Sequence, residues 1–131
     1  MSAPALVLQG AVRAAIAAAV PSVPVMDRVP GATDPMPRIV IGEGQELPNR
    51  ADCMDGREIY LDIHVWSHAV GQVEAKTLTA AVVAALDDVD LTLTGHVLDL
   101  LRFDGARYLR DPDGRTSHAV LTFRALTHPD D

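Results

Sequence analysis

Residues 57–68, REIYLDIHVWSH, alternate between apolar and polar side chains almost without a break. Successive side chains of a strand point to opposite faces. Ile59, Leu61, Ile63 and Val65 therefore share one face, and Tyr60, Asp62, His64 and Trp66 share the other. The first set is a core face. The second combines two aromatic rings with a carboxylate and an imidazole, a mixture suited to chemistry, to a metal or to contact with another polypeptide.

The segments around this strand define its setting. On the N-terminal side, Leu8, Val12, Ile16 and Ala19 recur at helical spacing, with Ser2 placed to cap the helix and Pro4 in its first turn. Pro21 and Pro24 end that helix. The proline-rich stretch 21–37 then predicts an extended connection with at most a short strand around Val25–Val29. RIVIG (38–42) is a brief β-branched run, and Gly42 is expected to stop it. Residues 43–57, EGQELPNRADCMDGR, have no apolar periodicity and read as a mobile, mainly acidic loop carrying Glu43, Glu46, Arg50, Asp52 and Asp55.

Beyond the central strand, Gly71 introduces a second helix with Ala75, Leu78, Val82 and Ala85 on one stripe and Glu74, Lys76 and Thr79 elsewhere. Asp87, Asp88 and Asp90 oppose the dipole at its end, so the helix is expected to stop near Leu86. The last third reads as a long hairpin turning at DPDGR (111–115), with Asp104-Gly105 marking a bulge in its first arm. The sum is a single α+β domain over 1–131, with a mainly antiparallel sheet, two helices packed on it and a long C-terminal β-hairpin. Whether both helices cover one sheet face or divide between the two stays open.

Composition narrows the function. The 131 residues are 48% hydrophobic but only 4% aromatic, so the core is built from aliphatic side chains. A formal net charge of −7 argues against sequence-independent binding to a phosphate backbone. The single cysteine, Cys53, excludes an intrachain disulfide and fits synthesis in a reducing cytoplasm. The apolar run 5–23 lacks a basic leader and holds Arg13, so it reads as a soluble helix; neither an export signal nor a membrane span is expected.

The candidate chemistries are weak. His64 and His68 share a strand face but lie about 13 Å apart along it, too far for one zinc. His96, His118 and His128 have no spacing that demands convergence. Carboxylates flanking Cys53 would raise its thiol pKa and blunt it as a nucleophile. No glycine-rich phosphate loop and no nucleophile elbow occur. The expectation is no catalytic residue, no cofactor and no metal. Tyr and Trp interleaved with polar groups are, by contrast, favoured where one protein meets another.

Read together, PRIVIG (37–42), a polar loop, a strand ending IHVWS (63–67) and a helix beginning VEAKTL (73–78) resemble a family of small tail-completion proteins. These are the tail terminators of long-tailed, non-contractile phages and of phage-like gene transfer particles. The resemblance spans nearly the whole chain and implies a virion structural protein, not an enzyme. It implies a six-membered ring at the head-proximal end of the tail, contacting the tail tube protein and the head-side connector or adaptor protein. DNA would only pass through the lumen. On that reading Tyr60, Asp62, His64, Trp66, Glu43, Glu46, Arg50, Asp52 and Asp55 are the interface candidates. The rival readings are another head–tail connector component, or a small cytoplasmic α+β enzyme or ligand-binding domain with Asp62, His64 and His68 lining its site.

Overall fold

Two helices and five strands follow one another in the computed structural model, which describes residues 3–50 and 55–130. In chain order they are α1 (Pro4–Ala19), β1 (Val25–Met26), β2 (Arg38–Asn49), β3 (Gly56–Ser67), α2 (Val73–Leu86), β4 (His96–Arg110) and β5 (Ser117–Pro129). The strands form one sheet in the order β1-β2-β3-β5-β4. All neighbours are antiparallel except the short β1–β2 pair. The fold class is thus α+β, and β4 with β5 makes the C-terminal hairpin.

Both helices lie on one side of the sheet. Leu8, Val12 and Ile16 of α1 and Val82 and Leu86 of α2 join Ile59, Leu61, Ile63 and Val65 of β3 in one core. Phe123, Leu121, Ala119 and Ala125 of β5 complete it. The helical stripes differ from expectation at their ends. Ala19 is exposed and Val20 is buried in its place, while Leu86 and Thr79 go deeper than Ala85 and Leu78. Thr79 is tolerated in the core because its hydroxyl donates to the Ala75 carbonyl one turn back, at 2.8 Å. Ala3 occupies the cap position of α1 without a side-chain bond, Pro4 opens the first turn, and Ser2 lies outside the described residues.

The acidic loop expected over 43–57 is a correction. Gly42 does not end its strand: β2 continues to Asn49, and Gly44–Asn49 pair residue by residue with Leu61–Gly56 after a register shift between Ile41 and Gly44. Residues 51–54, including Asp52 and Cys53, lie outside the described residues. The physical reason is that apolar alternation reports burial, and most of 43–49 is exposed on both faces. The backbone ladder forms there without an apolar side to announce it.

Other punctuation fell where expected. Helix α2 stops at Leu86, and its acidic end has a structural use: Asp87 Oδ1 accepts the Phe103 amide at 2.9 Å, and the Asp88 amide donates to the Leu101 carbonyl at 2.8 Å. The Asp104-Gly105 bulge is present as a register shift between Phe103 and Gly105, whose φ of 146° suits glycine. At the hairpin turn, Asp113 accepts from the Arg115 and Thr116 amides and the Thr116 hydroxyl, which hold its carboxyl down at about 2.

One glycine reports how tightly the hairpin end is packed. A Cβ on Gly56 would sit 2.5 Å from the Asn49 carbonyl oxygen and 3.0 Å from that of Thr127, both backbone atoms. Gly56→Ala must therefore spread β2 and β5 away from β3. We expect a loss of about 1–3 kcal/mol of stability, typical of overpacking. Urea unfolding should show a lower midpoint with an unchanged slope.

Candidate assembly surface

With α1 and α2 on one side, the other face of the sheet carries no helix. Tyr60, Asp62, His64 and Trp66 all lie on it, half-buried by each other and by the flanking strands β2 and β5. Strand β5 has the same two-residue alternation as β3 and adds His118, Val120, Thr122 and Arg124 to this face. Those β5 residues were readable in SHAVLTFRALTH (117–128) as an alternation, but which strand stands beside which is set by non-local pairing that sequence does not show.

The polar groups of this face are tied together across strands. The Arg124 guanidinium donates to Glu58 at 2.6 Å, and the Tyr60 hydroxyl donates to the same carboxylate oxygen at 3.1 Å. The guanidinium holds the Glu58 carboxyl below its ordinary range, and the carboxylate raises Arg124 in turn. Thr122 donates to Asp62 at 2.9 Å. His64 Nδ1 lies 2.7 Å from His118 Nε2, and His64 Nε2 lies 3.0 Å from Glu43 Oε1. A carboxylate only accepts, so His64 Nε2 donates to Glu43, and a second proton lies between His64 Nδ1 and His118 Nε2. The His118 ring also stacks on Trp66, with centroids 3.6 Å apart and planes 10° from parallel.

Burial, and then the neighbouring His64, push the His118 pKa below its ordinary value. Arg107 acts in the same direction, whereas Asp111 and Glu43 oppose it. Between the lowered native value and an unfolded value of about 6.5, the unfolded chain binds more protons, so stability rises with pH across that window. The stabilisation is present above about pH 6.5 and is lost as the pH falls below it. Thermal unfolding between pH 5 and 7.5 should show this slope, and His118→Gln, which keeps a donor, should flatten it.

The remaining interface candidates separate. Glu43 joins the open face through His64. Glu46 turns to the helix side of the sheet, opposite Ile59, and pairs with Arg57 at 3.2 Å. Asp55 also binds Arg57, while Arg50 is exposed at the end of β2. The constellation of the rival enzyme reading does not assemble. His64 borders a depression with Trp66, Val40 and Pro30, whereas His68 borders another with Arg110 and Arg115. Among the described residues, no three His, Cys, Asp or Glu side chains group so as to hold a metal ion.

The comparisons with known proteins bear on what such a face belongs to. A model of the family described as "Tail completion protein gp17" matches residues 5–128. The chain belongs to this family. It is 30% identical over 95 residues to the tail completion protein gp17 of Bacillus phage SPP1, covering 72% of this chain and 70% of that one. Among solved structures, a chain from the virion of a native gene transfer agent particle superposes with a TM-score of 0.83. It is 29% identical, with 98% of this chain and 99% of that chain covered. The structure of the SPP1 gp17 protein gives a TM-score of 0.53 at 25% identity, covering 95% and 91%.

Family membership gives the coarse function. The chain is a structural tail protein of a phage or phage-like virion, and its contacts are with other virion components.

Proposed function

We propose that this chain is a tail terminator. Six copies close into a ring that caps the tail tube, stops its growth and joins it to the head-side connector or adaptor protein. The observation that carries this reading is the likeness to the gene transfer agent virion chain, which runs through 98% of the sequence with a TM-score of 0.83. A closed ring needs two different surfaces that meet head to tail. The open face, anchored by Trp66 and Tyr60, and the exposed Arg50 and Asp55 beside the ends of β2 and β3 supply candidates for tube and connector contacts. A net charge of −7 suits a channel that DNA traverses without adhering.

Removing the chain from producing cells tests the reading. Particles made without it should carry tubes of irregular length left unjoined to heads. Tails of normal length on filled heads would contradict it.

A further inference from the structure

The two ends of the sheet are unequal, and each leaves one straight run of backbone uncovered. At one end, β1 pairs only with Ile39 and Val40 of β2. Beyond the register shift, Gly44–Asn49 pair with β3 on one side and have no strand on the other among the described residues. At the opposite end, the outer edge of β4 is capped in its first half. The Leu101 carbonyl takes the Asp88 amide, the Phe103 amide is held by Asp87, and His96 bridges to Leu93. Past the bulge the capping ends. Gly105–Arg110 pair without a break with Thr122–Ser117, and no strand stands on their other side among the described residues.

These runs are equal in length and differ in charge. Gly105–Arg110 carry Arg107 and Arg110, with Asp104 before and Asp111 after; Gly44–Asn49 carry Glu46, with Glu43 before and Arg50 after. In the first run Tyr108 and Leu109 stand 39% and 36% exposed, large apolar side chains on an open edge. Long bare edges invite pairing, and natural chains usually blunt them with lysine or proline. Residues 105–110 contain neither, and the only proline in 44–49, Pro48, lies at its far end.

Direction also fits. Three antiparallel steps separate β2 from β4, so the two strands run antiparallel. A second copy moved sideways along the sheet presents its β2 antiparallel to β4 with no rotation in the sheet plane. In a closed sheet, strands tilt by about 35–45°. Across four strands spaced about 4.8 Å apart, that tilt displaces the next copy along the strands by roughly 13–19 Å, about four to six residues. Gly44–Asn49 are level with the capped half of β4, through Leu61–Gly56 and β5. A displacement of that size carries them toward Gly105–Arg110.

We propose that the subunit joint is formed by these two runs, with Gly105–Arg110 of one copy pairing antiparallel with Gly44–Asn49 of the next. The sheet would continue from subunit to subunit, with Arg110 and Glu46 brought to the same helix-side face of the joint. The inference rests on the ring reading above and names the surfaces that close it.

The test is cross-linking in assembled particles. In a Cys53→Ser background, Leu47→Cys and Leu109→Cys sit on the same sheet face of the two runs; a short bis-maleimide tolerates a register difference of a residue or two. Asn49→Cys with Arg107→Cys repeats the measurement at the next same-face positions, should the leucine variants express poorly. The expected result is a ladder of covalent multimers from each double variant and none from the single variants. Tails of normal length that contain the double variants yet yield only monomer would overturn the proposed joint and leave the terminator reading standing. Absence of the chain from tails would overturn that reading, and this one with it.

Discussion

Truncating Phe123 to alanine is expected to lower the unfolding free energy by about 3–5 kcal/mol. Phe123 is the largest fully buried side chain among the described residues. It stands opposite Leu61 on β3 and Phe103 on β4, whose ring lies 5.6 Å away at a 54° tilt. With aromatic residues making up only 4% of the chain, little else nearby can expand into the space left behind. Domains of this size carry about 5–15 kcal/mol of stability in all, so the variant should be marginal at 37 °C. Urea unfolding at pH 7.5 measures it. A loss below about 1 kcal/mol would mean that the core is not arranged around β5 as described.

The second large effect is functional. Trp66→Ala removes a half-buried ring whose main intramolecular contact is the stack on His118. Its cost to folding should be about 2–4 kcal/mol, from the half-buried area of the ring and from the stack itself. If Trp66 anchors a contact with a neighbouring virion protein, truncation should cost about 2–4 kcal/mol of binding, a factor of roughly 30 to 1,000. We therefore expect a variant that still folds, with a lowered thermal midpoint, but is depleted from purified particles by at least about 30-fold when both proteins are compared at a temperature where each is folded. Normal incorporation would remove Trp66 from the interface and leave it a surface aromatic packed by its own sheet. Glu58→Gln is a useful companion, because it loosens the same face without removing an anchor.

How much of this was legible beforehand varies with the physical origin of each feature. The alternation of β3 identified the core face residue by residue, because a two-residue period in a half-buried strand is written directly by burial. The end of α2 and the bulge at Gly105 were also readable, since both are local backbone chemistry. The run 43–49 was misread as a loop because its side chains are mostly exposed, so its pairing left no apolar signature. The same blindness split the interface candidates. Glu43 and Glu46 look equivalent in sequence, yet the register shift after Ile41 brings Glu43 to His64 and sends Glu46 to the other side of the sheet. That both helices choose one face is a tertiary outcome with no local cause. The partnership of His64 with His118 is another, because it joins positions 54 residues apart.

Cryo-electron microscopy of intact particles tests the central claim most directly. The account predicts a closed ring of this fold between the tail tube and the head-side connector, its helices and sheet fitting the density as one unit per subunit. Density for this chain in the capsid or at the distal tip of the tail, with none at the head-proximal end, would contradict it.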